Sequence, residues 1–211
     1  MIWLCTQAGG SAALLTALLV TAALSAAPPR ASANSNEASS VMYPSQQDIA
    51  ASVARQDIEY LRRMYGHATD LIGKNTPDAI AEGLAVYRRI FTPDARISAH
   101  SVGNPPLTAT GPEGWAEVVE QALSAFKATQ HLIGSQLVTI ESLPIEGDPA
   151  SGRASMSSHL QAWHHGHDDT LDIFIGIYHD NVRYVPGTGW QIAEMDLVRI
   201  SGEIRAPEAQ H

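Results

Sequence analysis

At Thr129 the spacing of apolar residues changes from helical to alternating, and that change confines the chain to folds in which helices cover a sheet. Upstream, Ile49, Val53, Leu61, Tyr65, Ala68, Leu71 and Ile72 mark one apolar helix face, with Arg55, Glu59, Arg62 and Arg63 mostly away from it. Ser45, followed three residues later by Asp48, reads as a capping box at its start, and Gly73 ends it. Pro77 and Asp78 open a second helix that runs to Phe91 and stops at Thr92-Pro93-Asp94. A turn at Gly111-Pro112-Glu113-Gly114 precedes a third, built on Trp115, Val118, Val119, Ala122, Leu123 and Phe126. Residues 95–100 and 107–109 read as an edge strand or a pair of loops around Asn104-Pro105-Pro106. Downstream, period-two runs are expected over 130–143, 153–165, 170–185 and 190–200, separated by Gly- and Asp-containing turns. This is an α+β pattern, and its natural outcome is an open cone with a pocket between the sheet's concave face and the helices.

The 211 residues, 45% hydrophobic, suit one domain with a real core, expected over 45–203 with a tail at 204–211. Thirteen Lys and Arg against 22 Asp and Glu give a net charge of -9, which argues against nucleic acid or anionic lipid as a partner. The small and apolar run over 12–27, then Ala31-Ser32-Ala33, reads as a signal peptide over 1–33, although Met1 to Gly10 carry no Lys or Arg. Residues 34–44 are polar and read as a linker. The expectation is an exported protein, periplasmic or secreted, with no membrane association after signal removal. Cys5 would leave with the signal, so the mature chain would have neither a disulfide nor a thiol nucleophile.

Nine histidines turn attention to imidazole chemistry. Asp70 lies in the last turn of the first helix, where the dipole disfavours a negative charge, and it is either a functional carboxylate or a solvated residue beside His67. His131 heads the first alternating run, with Ile133 and Leu137 expected on its face and Leu132, Val138 and Ile140 on the other. On the next run His159, Gln161, Trp163 and His165 share a face, which could supply a proton donor and an aromatic wall to a pocket or could face solvent or a partner subunit. Tyr65 and Tyr178 could bring phenols to the same cavity as electrophiles, or serve as ordinary core aromatics. The cluster from His164 to Asp169 holds metal-ligand types, but neighbouring strand residues point apart, so no metal site is expected. No phosphate loop, nucleophile elbow or dinucleotide fingerprint occurs, and no cofactor is expected.

Thr129-Gln130-His131-Leu132-Ile133-Gly134, with Phe91-Thr92-Pro93-Asp94-Ala95, Gly111 to Gly114, and Tyr178 to Trp190 followed by Gln191-Ile192, resembles the SnoaL-like proteins of the NTF2-like superfamily. Within that group the resemblance is nearest to scytalone-dehydratase-like proteins. It implies three N-terminal helices packed on a curved, mostly antiparallel sheet. It further implies that Asp70 orients His131 as a general base and that His165 is a second catalytic histidine. The activity implied is a cofactor-independent lyase, a dehydratase of a small hydroxylated aromatic or polycyclic substrate. An isomerase or an aldol-type carbon–carbon lyase would use the same residues, and a non-catalytic binding module would keep only the pocket. A homo-oligomer, dimer or trimer, is also implied. Thr69 departs from the tyrosine usual beside the aspartate, and Gly176 and Tyr178 stand at what look like the family's serine and asparagine positions, which leaves the substrate open.

Overall fold

The computed structural model describes residues 43–101 and 103–207; the expected signal peptide and nearly all of the expected linker lie outside them. The elements follow in the order α1 (Gln46–Ile72), α2 (Pro77–Ile90), β1 (Phe91–His100), β2 (Leu107–Thr110), α3 (Gly111–Leu123), β3 (Phe126–Ser142), a short 3-10 turn (Pro149–Ser151), β4 (Arg153–Gly166), β5 (Leu171–Val185) and β6 (Gly189–Arg205). One six-stranded sheet has the order β2-β1-β6-β5-β4-β3, with β1 and β6 parallel and every other pair antiparallel. The fold is therefore α+β with a curved, unclosed mixed sheet. None of the described helices is long and apolar enough to cross a membrane.

Ser45 caps α1 as expected: its hydroxyl accepts from the Asp48 backbone N–H, and the Asp48 side chain bonds back to the Ser45 N–H. The third helix is not N-terminal to the sheet. It follows β1 and β2, and the expected turn Gly111 to Gly114 is its first turn, with Pro112 near the helix start, where a missing N–H costs nothing. Gly111 has φ 74, and a Cβ there would stand 2.6 Å from the Pro93 carbonyl oxygen, so a side chain is excluded for two reasons.

Bulges bend the long strands, at Gly134/Leu137 between β3 and β4 and at Ile175/Gly176 between β5 and β6. The first also corrects the face expected of β3. Ser135 adopts φ 45, and the extra residue reverses the alternation, so Val138 and Ile140 pack on the core while Leu137 is exposed.

Arg62 reverses its expected place as well. It belongs to the buried stripe Ile58, Leu61, Arg62, Tyr65, Thr69 and Ile72 and is fully buried, in a salt bridge with the buried Asp180 of β5. Its guanidinium lies 3.9 Å from the Tyr178 ring centroid and 4.6 Å from that of Tyr65, and Nη1 contacts the Met195 sulfur at 3.3 Å. Arg62 Nε and Asp180 Oδ2 have no hydrogen-bond partner among the described residues, so the pair falls short of full satisfaction. Replacing Arg62 by Met strands a buried carboxylate and is expected to lower unfolding free energy by about 3–5 kcal/mol in urea denaturation, whereas Arg62→Met with Asp180→Leu recovers most of that loss.

Candidate functional site

The site begins with two glycines on α1. A Cβ at Gly66 would stand 3.3 Å from the His131 carbonyl oxygen and from an Ile133 carbon, and one at Gly73 would stand 2.1 Å from the Thr129 methyl. Two turns apart, they let the end of α1 lie directly on β3. Asp70 sits between them and meets His131: its Oδ1 accepts from His131 Nδ1 at 2.8 Å, and its Oδ2 accepts from the His131 backbone N–H at 3.2 Å. The Thr129 hydroxyl adds a donor to Oδ1 at 3.3 Å. A carboxylate only accepts, so Nδ1 carries the hydrogen, and Nε2 has no hydrogen-bond partner among the described residues. Asp70 pairs with His131 and not with the exposed His67.

The His131 ring lines a cavity of about 290 Å³ between the sheet and the helices. Its walls are largely apolar, with Trp115, Val119 and Leu123 from α3, Leu160 and Ala162 from β4, Phe174 from β5 and Leu197 from β6. Tyr65, Thr69 and Tyr178 form its floor, and Tyr87 lies against them. Donor accounting fixes the direction of the hydrogen bonds there. Thr69 gives its hydroxyl hydrogen to the Tyr65 carbonyl at 2.8 Å, so in the 2.6 Å contact of Thr69 with Tyr87 the phenol donates. Trp115 Nε1 can only donate, and it does so to the Tyr65 hydroxyl oxygen at 3.2 Å. The Tyr65 O–H hydrogen is thereby left for a neighbour or a cavity occupant. Burial pushes the Tyr65, Tyr87 and Tyr178 phenols up from their ordinary values, so all three stay protonated donors.

The structure brings His131, Tyr65 and Tyr178 together at this cavity, with Asp70 behind His131. It does not bring His165, His159 or Trp163. On β4 the inward face is Ala154, Met156, Ser158, Leu160, Ala162 and His164, so the polar row lies outside: His159 and Gln161 are exposed, Trp163 and His165 half-buried. His165 turns toward Asp169 in the hairpin tip, 3.5 Å away. The physical reason is the greater apolar content of the even-numbered row, which the core takes. Among the described residues, no group of three or more His, Cys, Asp or Glu is arranged to hold a metal ion.

His164, weighed in the sequence only as a metal-ligand type, takes the inward place. Its ring stacks on Phe126 with centroids 4.9 Å apart and lies 5.5 Å from the His131 ring. Burial, reinforced by the neighbouring His131, pushes its imidazole down to about 4, so at neutral pH it is uncharged.

A family model described as a SnoaL-like domain matches residues 79–196. The chain belongs to the SnoaL-like family. Solved structures agree on the NTF2-like fold of this SnoaL-like protein. The Kfla4162 protein from Kribbella flavida is 24% identical, with a TM-score of 0.57 over 72% of this chain and 95% of that one. A protein named as a candidate scytalone dehydratase from Novosphingobium aromaticivorans is 19% identical, with a TM-score of 0.56 over 77% and 98%. Hexachlorocyclohexane dehydrochlorinase LinA-type3 from Novosphingobium barchaimii is 12% identical, with a TM-score of 0.60 over 78% and 98%. No curated protein matches the chain.

The depressed His164 predicts a pH dependence of stability. Between pH 6.5 and about 4 the unfolded chain binds a proton there that the native site refuses. Stability from this residue is therefore full above pH 6.5 and is lost as pH falls toward 4, on the order of 2–3 kcal/mol in all. His164→Gln is expected to remove that part of the slope in denaturation midpoints, and ¹⁵N NMR should find the wild-type ring neutral at pH 5.5.

Proposed function

We propose that this SnoaL-like protein is a cofactor-independent acid–base lyase, a dehydratase of a small hydroxylated, aromatic or polycyclic molecule. The observation that carries the reading is the 2.8 Å Asp70–His131 contact at the wall of an apolar cavity. Asp70 holds the imidazole by Nδ1 and stabilises the cation it becomes, so Nε2 is the base. His131 Nε2 takes the proton from a carbon beside a carbonyl, and that electron pair forms the C=C bond as the C–O bond at the neighbouring carbon breaks. The departing hydroxide recovers the proton from the imidazolium and leaves as water, which restores the base. The Tyr65 O–H, with its oxygen held by Trp115, donates to the carbonyl oxygen as enolate charge grows. This replaces His165 as the partner of the base, because His165 faces away from the cavity.

A structural neighbour named as a dehydrochlorinase and another named as a candidate scytalone dehydratase support an elimination on this scaffold. Exposed Leu132, Leu137, Ile200 and Ile204 support a homo-oligomer formed through the sheet. Export is part of the reading and rests on residues 1–33.

The test is turnover against hydroxylated aromatic ketones and diols, read by mass spectrometry with Asp70→Asn and His131→Ala alongside. Loss of water is expected in the wild type, with kcat lower by about 10²–10⁴ in each variant. Deuterium from D2O should enter unreacted substrate at the carbon beside the carbonyl only when His131 is present. An unchanged mass would name an isomerase, and loss of a carbonyl fragment a carbon–carbon lyase. Binding without conversion would leave a binding module.

A further inference from the structure

Two buried polar atoms of the cavity-lining residues have no hydrogen-bond partner among the described residues: Nε2 of His164 and Oδ1 of Asp172. The residues stand directly opposite each other on β4 and β5. His164 is only 8% exposed, and its stacking on Phe126 fixes the ring, so it has little freedom to seek a partner elsewhere. Arg199 comes within 3.9 Å of Asp172 Oδ1, too far for a hydrogen bond, while its Nε donates to the Ser201 carbonyl and its guanidinium lies over Phe174. A buried acceptor left without a donor is costly, so a ligand that supplies the donors recovers that cost.

The charges around the cavity point the same way. Among the described residues no Lys or Arg lines it, whereas Asp172 lines it and Asp70 stands behind His131. Arg62 lies beneath the floor and is matched by Asp180, and Arg199, 3.9 Å from Asp172 Oδ1 and outside the lining, offsets only part of that carboxylate's charge. An uncharged His164 adds no positive field. The interior thus favours groups that donate hydrogen bonds or carry positive charge and disfavours anions.

We propose that His164 and Asp172 form a donor-seeking subsite beside the Asp70–His131 pair, selecting substrates that carry an ammonium or hydroxyl group there and rejecting carboxylates and phosphates. A primary ammonium fits best, since its N–H groups satisfy Asp172 Oδ1 and the His164 lone pair together while its charge meets the carboxylate. The assignment rests on the lyase reading only in taking this cavity as the substrate cavity. Asp172 is here a specificity-determining residue with no part in the proton transfer.

Equilibrium binding of three bicyclic probes that differ in one group tests this without turnover: 2-aminotetralin, 2-tetralol and tetralin-2-carboxylate, by calorimetry on the full chain at pH 7. The amine is expected to bind at least tenfold more tightly than the alcohol, and the alcohol more tightly than the carboxylate. Asp172→Asn should weaken the amine at least tenfold and bring amine and alcohol within about threefold, by the loss of one charge-assisted bond. The ¹⁵N resonances of His164 should shift when the amine binds. The same ranking in His131→Ala separates the subsite from the base: it survives there even if no lyase activity is ever found. Carboxylate binding equal to or tighter than the amine, no measurable binding of the amine, or an unchanged ranking in Asp172→Asn overturns the subsite, and none of these touches the elimination assay.

Discussion

Helix α1 lies on β3 with no side chain between them at Gly66 and Gly73, and the site depends on that contact. A carboxylate has a short side chain, so Asp70 can reach both Nδ1 and the backbone N–H of His131 only where helix and strand are this close. The contact also settles what the end of a helix does to a negative charge. The dipole at the α1 C-terminus disfavours Asp70, but donors from the His131 ring, its backbone and the Thr129 hydroxyl surround the carboxylate and offset it. A methyl group at either glycine would press the helix outward, and at Gly73 the 2.1 Å approach leaves no room for accommodation.

Beneath the cavity the same helix carries Arg62, about two turns before Asp70, and the two positions do different work. Arg62 and Asp180 tie the helix to the middle of the sheet, with Tyr65 and Tyr178 packed on the guanidinium faces. This fixes the two aromatic rings of the floor from below. Tyr65 is then fixed from the side by Trp115 Nε1, which donates to its hydroxyl oxygen. A donor prepared in this way costs little to reorganise when charge develops near it, which is the condition for electrostatic stabilisation of an enolate.

Much of this was legible in the sequence, and the parts that were not share causes. The Ser45 cap, the Gly73 stop and the period change at Thr129 are local signals, and they placed the helices and strands within a few residues. Asp70 and His131 were legible as residues because of the motif around them, although nothing local says that α1 and β3 touch. Strand faces were harder. A single positive-φ residue, Ser135, reverses the expected face halfway along β3, and no composition rule announces it. On β4 the conspicuous row of His159, Gln161, Trp163 and His165 drew attention from the plainer row, yet Ala154, Met156, Leu160 and Ala162 were the signal for the core side and carried His164 inward with them. Arg62 was misplaced because charge outweighed position: its spacing from Ile58 and Tyr65 is that of a core residue, and only its distant partner Asp180 makes that place tenable.

The two inward imidazoles divide the cavity's chemistry through their unequal surroundings. Rings 5.5 Å apart in an apolar enclosure cannot both carry charge at low cost. His131 has a carboxylate 2.8 Å from Nδ1, whereas His164 has Phe126 on one face and no partner at Nε2. Burial and the neighbouring His131 both discourage protonation of His164, so in the proposed elimination the proton taken by His131 Nε2 is not lost to it and stays within reach of the departing hydroxide. It also leaves His164 a neutral ring with a lone pair to offer, so in the proposed scheme substrate recognition at the β4–β5 side and proton transfer at the α1–β3 side can proceed 5.5 Å apart without competing for the same proton.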